Sequence, residues 1–500
     1  MNKKIIIIGG GISGLTAGIY ALRAGFKAEI FEFHNVAGGI CTGWDRKGYH
    51  IDGCIHWLTG SKKGTDMYRV WKTCGAINDE TTIYQSKYIV ATIHEGKTYY
   101  LYSQLDKMEQ ELLSISPVDE SEIKKFIESV RRCQTPPVPG GKPFEYMSFF
   151  EKMNLLFKHF KFGKVMVKSS KVSIKDYLSG FQSDVIRRML SSIVPTELPA
   201  NTLFFTLGIR TSGDGGWPMG GSYQFAQRMR GKFEELGGIM HTGTPVKNII
   251  IRDGKAVGIT LTDDSTEIPA DYIVPTVDAY TVLHQLLQGK YEDTYFKERF
   301  DSPENYRFLS ATLVSLGINA DLKKYPEFLC LKLTHPLTIN QTVYHELSMK
   351  NYSYDPEFNI DGKSLITLTI EDKEYKYWKQ LKEDSPALYR QEKEKVAKAI
   401  IDELTAVYPE LAGKTEMTDV ATPLTFNRYC KTYQGAYMSF FPLTNIKRKR
   451  HRGLVDGIEN MYLAGQWVYP NGGLPLAAMA GKFAIQRICK KNGISIDLDV

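Results

Sequence analysis

The sequence predicts an α/β fold, a parallel-stranded domain of Rossmann-like order joined to a second domain of mixed sheet and helices. Three observations predict it. Four isoleucines, Ile5 to Ile8, read as a short strand buried on both faces. Gly9-x-Gly11-x-x-Gly14 follows at once and runs into small residues at helical spacing, Ala17 and Ala21. A second strand, "AEIFEF", ends on Glu32, eighteen residues after Gly14.

Each element has a mechanical reason. Gly9 permits the tight turn from strand to helix, Gly11 lets the backbone approach a pyrophosphate, and Gly14 lets the helix pack on the strand. Ile12 and Ser13 lie in the same turn, where the helix N-terminus is aimed at phosphate. An acid placed as Glu32 is binds the adenosine ribose hydroxyls. Strand, glycine turn, helix, strand and acid in this order make a Rossmann-like dinucleotide site. A signal peptide does not fit, because four glycines interrupt the apolar run between Gly9 and Gly14 and no small-x-small cleavage site precedes "LRAGFKAE".

A second glycine-rich segment, "VAGGICTGWDRKGYHIDGCIHWLTG", follows the ribose-binding strand, with Gly38, Gly39, Gly48 and Asp52-Gly53 in order. This segment resembles the flavoprotein fold shared by amine oxidases and phytoene desaturases, with one departure: Ile40 stands where that family usually has Arg or Lys. Two further blocks fit the same family. In "GWPMGGSYQFAQRMRGKFEELGGIMHTGTPVKNIIIRDGKAVGITL", Gly220-Gly221 precede a helix ending near Gly237, and a hairpin turns at Asp253-Gly254. The resemblance implies that the backbone at Val246 contacts adenine. In "ENMYLAGQWVYPNGGLPLAAMAGKFAIQRI", a turn at Gly465 and Gln466 leads to Gly473, Leu474 and Pro475 at the start of a helix. The resemblance places that helix N-terminus against the pyrimidine side of a flavin, where its partial positive charge stabilises the reduced anion. The implied cofactor is FAD. No second GxGxxG occurs, so a dedicated NAD(P)H domain is not expected and the electron donor or acceptor stays unknown.

The blocks imply a discontinuous FAD-binding domain over 1–75, 205–285 and 415–500. A substrate-binding domain of mixed sheet and helices is expected over 76–204 and 286–414. Within it, "YIVATIHEGKTYYLY" reads as a hairpin turning at Glu95-Gly96, and "QLDKMEQELLSI" and "SEIKKFIESVRRC" read as helices. Residues 135–143, "TPPVPGGKP", read as an exposed loop. "ATLVSLGIN" reads as a strand and "PALYRQEKEKVAKAIIDELTAVYP" as a helix with charge pairs on its outer face.

Within the family, "PNGGLPLAAMAG" and "TPLTFNRYCKTYQGAYMSF" resemble the phytoene desaturase, carotenoid isomerase and retinol saturase branch, although Met438-Ser439 replaces a final glycine. "IHWLTG" instead resembles the His-Trp pair of polyamine oxidases. The branch implies hydride transfer at flavin N5 on C–C or C=C bonds of an apolar polyene, retinoid or fatty acyl substrate. Desaturation, saturation and isomerisation are all open. A flavin amine oxidase is the alternative. A flavin-free lipid carrier of the GDP dissociation inhibitor type is a second alternative, opposed by the intact Gly9, Gly11, Gly14 and Glu32.

Candidate catalytic residues follow from family position: His56 and Trp57 after Asp52-Gly53, and Trp467 and Tyr469 after Gly465. His56 is either a proton donor and head-group ligand or a structural histidine. Trp467 and Tyr469 are either cavity walls or packing. Asp52 reads as a structural or ribityl contact.

The composition is that of a soluble globular chain, 43% apolar and 24% charged. Seven scattered cysteines, with no CxxC and no Cys/His cluster at ligand spacing, imply reduced thiols and no metal site. A net charge of +7 permits an anionic partner surface. Between 146 and 162, Phe149, Phe150, Met153, Leu156, Phe157 and Phe160 fall at helical spacing among Lys152, Lys158, His159 and Lys161. That pattern is either a basic helix lying in a membrane interface or a domain helix with a solvated face. "IKRKRHRG" (446–453) either adds attraction to anionic lipid or is a solvated loop. The expected location is cytoplasmic, peripheral on the inner membrane face under the interfacial reading. No nucleic-acid partner is expected.

Overall fold

In the computed structural model, which describes residues 2–136, 140–262, 266–446 and 449–500, four parallel strands make the first sheet. Their order is Tyr272–Pro275, Lys4–Ile8, Lys27–Phe31, Ile239–His241. Ile5 to Ile8 are at most 4% exposed, as a strand covered on both faces requires. The helix Ile12–Arg23 buries every residue from Ile12 to Ala21. It packs against the closing helix Leu474–Lys491.

That closing helix is pinned by the C-terminal tail. Lys482, 1% exposed, donates to both carboxylate oxygens of Asp499 at 2.8 and 2.7 Å and to Gly140 O at 2.7 Å. Tyr20 donates to the same carboxylate. Removing one partner of a buried pair leaves an uncompensated charge, so Asp499→Ala should cost about 3 kcal/mol in a denaturant titration. A loss under about 0.5 kcal/mol, the range of an ordinary surface change, would contradict that role.

A second sheet of eight strands builds the other half. Its path is Thr415–Ala421, Tyr306–Ile318, Ser364–Glu371, Thr342–Asn351, Phe328–Ile339, Tyr88–His94, Lys97–Tyr102, with Ala436–Pro442 also on Tyr306–Ile318. Only the junction of Phe328–Ile339 with Tyr88–His94 is parallel. The strand Thr342–Asn351 shows the period-two rule plainly. Thr342, Tyr344, Glu346, Ser348 and Lys350 line the interior cavity. Leu347 and Met349, which also reach the cavity wall, belong to the apolar cluster of Val396, Ile400 and Leu404 on the helix Pro386–Val407. A helical layer around Phe126, Phe181 and Phe204 covers the cavity from the other side.

Two expectations meet a different arrangement. Residues 415–442, expected with the FAD domain, contribute two strands to the large sheet. The 13-residue strand Tyr306–Ile318 is longer than either, and its edge accommodates both end to end. The single basic helix expected over 146–162 is two helices, Phe149–Lys158 and Phe160–Ser169, divided at His159. Residues 137–139 of the expected loop and 447–448 of the basic run lie outside the described residues.

Candidate active site

One cavity of about 1870 Å³ runs through both halves, larger than the 300–1,000 Å³ usual for a small ligand. At one end of it the glycine turn has the tight geometry its spacing predicts. Gly9 has φ +102°, and a Cβ on Gly14 would lie 1.9 Å from Gly9 O. Gly11 pairs with Gly38, and Gly38 N donates to Gly10 O at 2.9 Å. Ile12, Ser13, Gly38 and Gly39 line the same wall. Among the described residues the buried Ser13 hydroxyl has no hydrogen-bond partner. It sits at an uncapped helix N-terminus, a donor set suited to phosphate.

Glu32 ends its strand at the cavity, accepting from Gly10 N at 2.5 Å and His34 N at 2.8 Å. Burial pushes its carboxyl up, and the two backbone N–H groups pull it back. Val246 and Asp278 line this region too. Asp278, which sequence reasoning missed, is held by Thr281 and pushed up to about 6 by burial.

The opposite wall comes from the closing block. Gly465 and Gly473 have φ of +99° and +92°. Gln466 spends its amide inside the protein: Oε1 accepts from Gly473 N at 3.0 Å and Nε2 donates to Tyr437 O at 3.1 Å. No side chain caps the helix that starts at Leu474, and Pro475 has no N–H. The amides of Leu474 and Leu476 therefore lack intrahelical partners and stay free for an acceptor.

The structure brings His56, Trp57, Trp467 and Tyr469 to the same cavity. The His56 side chain is exposed along the cavity wall, with protein packed around it. Burial, then the positive charge of Lys350, lowers it to about 4, so it is neutral at pH 7. Tyr469 packs edge-on against Phe483. Trp467 is 3% exposed within an aromatic cluster with Phe300 and Phe440. Asp52 is wholly engaged: it accepts from Ser222 N at 2.6 Å, Ser222 Oγ at 2.9 Å and Cys54 N at 3.0 Å. His451 of the basic run is buried and pairs with Asp293 at 2.8 Å, so that part is no solvated loop.

Sequence reasoning missed Arg210 and Lys350. Lys350 closes the alternating row on its strand. Its Nζ donates to Ile55 O at 2.9 Å and lies 3.4 Å from the Trp217 ring centre. Arg210 sits over Trp57 and Phe328 at 5.3 and 5.4 Å. The alternation of "TVYHELSMKN" was the available signal for Lys350.

A Glu32→Ala variant should lose roughly 10- to 100-fold in dinucleotide affinity, since a charged hydrogen bond contributes about 1.5–3 kcal/mol. Unchanged cofactor content after gel filtration would sink the ribose assignment.

Comparison with known proteins agrees with this geometry. The family model described as flavin containing amine oxidoreductase matches residues 12–489. The chain is similar to an all-trans-retinol 13,14-reductase of Danio rerio, 23% identical over 92% of this chain and 82% of that protein. It is similar to the chloroplastic prolycopene isomerase of Daucus carota, 22% identical over 98% of this chain and 80% of that one. Among solved structures, cyclohexylamine oxidase of Brevibacterium oxydans has the same fold, with a TM-score of 0.60 at 15% identity, covering 99% of this chain and 100% of that one.

Proposed function

The chain belongs to the flavin-containing amine oxidoreductase family and is an FAD-dependent oxidoreductase, and from that premise we propose that its substrate is an apolar lipid-like chain whose C–C or C=C bonds it desaturates, saturates or isomerises. One observation carries this reading. Beyond the nucleotide end, the cavity continues between the large sheet and the helical layer over an apolar wall that includes Ile89, Val90, Phe162, Met166, Phe205 and Leu309. The retinol reductase and the prolycopene isomerase named above support the substrate class.

The chain's own residues have definite tasks in this scheme. Gly9 to Gly14, Ser13 and Glu32 hold the nucleotide, and the free amides of Leu474 and Leu476 face the ring end. When bound, FAD supplies hydride exchange at N5. Phe162 and Met166 keep water out. Trp57 and Tyr469 orient the chain, Trp467 stiffens the wall behind them, and His56, neutral at pH 7, is a group able to accept a proton or to donate a ring N–H hydrogen bond. A protonated amine is disfavoured, because Arg210 and Lys350 line the same cavity and like charge repels strongly where water is excluded.

The test is anaerobic mixing of FAD-loaded protein with all-trans-retinol or a C30–C40 polyene. The expected result is a change in flavin absorbance together with a product altered by two hydrogens or in double-bond geometry. Bleaching by amines with peroxide release, and none by apolar chains, would overturn the reading.

The route in lies at the membrane surface. No described helix is long and apolar enough to cross a membrane. Phe149, Phe150, Phe157 and Phe160 are 71%, 81%, 72% and 64% exposed on the two short helices, with Lys152, Lys158, Lys161 and Lys164 among them. Phe162 and Met166 of the second helix face the cavity from its other side. Phe150→Asp with Phe157→Asp should reduce flotation with anionic vesicles at least tenfold, since burial of one such ring contributes about 1.5–3 kcal/mol. Flotation equal to wild type would refute the interface.

A further inference from the structure

We infer that the substrate carries a carboxylate at one end, held between Arg210 and Lys350 at the inner end of the cavity; this rests on the apolar-chain reading above. Arg210 is 8% exposed, and among the described residues it makes no side-chain hydrogen bond or ion pair. Its guanidinium lies over the Trp57 and Phe328 faces. Lys350 is 4% exposed, with one hydrogen bond, to Ile55 O, and its Nζ is 5.9 Å from the same Phe328 ring. Two cations thus flank one aromatic ring. A buried cation left without a counter-charge is costly.

The carboxylates that face this pair, Asp52, Asp355 and Glu327, do not line the cavity. Asp52 is bound by Ser222 and Cys54. Asp355 accepts from Trp217 Nε1 at 2.7 Å and from Gly220 N at 2.8 Å. Glu327, which acts on Arg210 from beyond ion-pair distance, is bonded to Tyr84 through Oε1, while its Oε2 is buried without a partner among the described residues. Burial lowers Lys350 to about 7 and Arg210 to about 10, the response of cations whose charge is incompletely matched. A ligand carboxylate would match it.

The cavity also has the polarity such an amphiphile needs. The helix Ala200–Thr211 forms one wall. Near its start, Asn201 Nδ2 donates to Met166 O at 3.3 Å, on the helix that begins with the exposed Phe160. Arg210 lies nine residues further along, about 14 Å at 1.5 Å per residue. The acid therefore sits deep and the tail points back toward the surface helices.

The test titrates FAD-loaded protein with two matched pairs, oleic acid against oleyl alcohol and all-trans-retinoic acid against all-trans-retinol, following the flavin spectrum. Each acid should bind about tenfold tighter than its alcohol or better, as a desolvated charge contact implies. Arg210→Gln and Lys350→Met should each bring that ratio toward one, whereas Arg210→Lys, which keeps the charge, should retain part of it. Equal binding of acid and alcohol by wild type overturns the head-group assignment and leaves the apolar-chain reading standing. No binding by any of the four overturns both. Variants that shift the flavin reduction potential without changing the acid-to-alcohol ratio assign the two cations to the flavin and overturn the proposal.

Discussion

A Gly14→Ala variant is expected to purify without FAD. The added Cβ would sit 1.9 Å from Gly9 O, and that neighbour is backbone, held in place because Gly9 N donates to Phe31 O at 2.8 Å. No rotamer change relieves such a contact. The helix Ile12–Arg23 must move off its strand and carry the Ser13 hydroxyl and the free amides away from the phosphate position. Overpacking of this kind costs about 3 kcal/mol, equivalent to roughly a hundredfold in affinity. The check is the ratio of flavin to protein absorbance after purification, with a denaturant titration alongside. Wild-type flavin content would mean that the close helix–strand approach is not what builds the site.

Asp52→Ala should be the most damaging single change away from the nucleotide end. Asp52 is 2% exposed and holds Ser222, on the first turn of the helix Gly221–Glu235, by both its N–H and its hydroxyl. Ser222 Oγ in turn accepts from Ile55 N at 2.8 Å, so the carboxylate fixes the loop that carries His56 and Trp57. It also supplies the largest opposing charge to Lys350. Removing it leaves buried donors unsatisfied at about 1–3 kcal/mol each. The expected loss is about 3 kcal/mol or more, with flavin still bound at reduced affinity because the glycine cradle is intact. A change below about 1 kcal/mol would show that the Ser222 contacts are dispensable.

These two sites differ in how far the sequence discloses them. The Gly9–Gly14 turn, its strand and Glu32 are legible because their geometry is local: a helix cannot approach a strand this closely unless small residues stand at fixed offsets. The Gly465–Pro475 turn and the hairpin at Asp253-Gly254 are legible for the same reason. The pair Arg210 and Lys350 is not. Lys350 and its partner Ile55 stand 295 residues apart, and only the register of an eight-stranded sheet brings them together. Two strands of that sheet, Thr415–Ala421 and Ala436–Pro442, lie in text that reads as nucleotide-domain sequence. Their true partner, Tyr306–Ile318, lies about a hundred residues or more upstream in chain order. Non-local pairing leaves no local signature beyond alternation. His56 shows the converse: its place was legible, but its neutral state depends on burial and on Lys350, neither of which its neighbours in sequence reveal.

The measurement that tests the central claim most directly is denaturation of the purified protein and mass-spectrometric identification of every small molecule released. The account predicts FAD together with a polyene, retinoid or fatty acyl chain. FAD released with an amine, or a lipid released from correctly folded protein that holds no flavin, would contradict it.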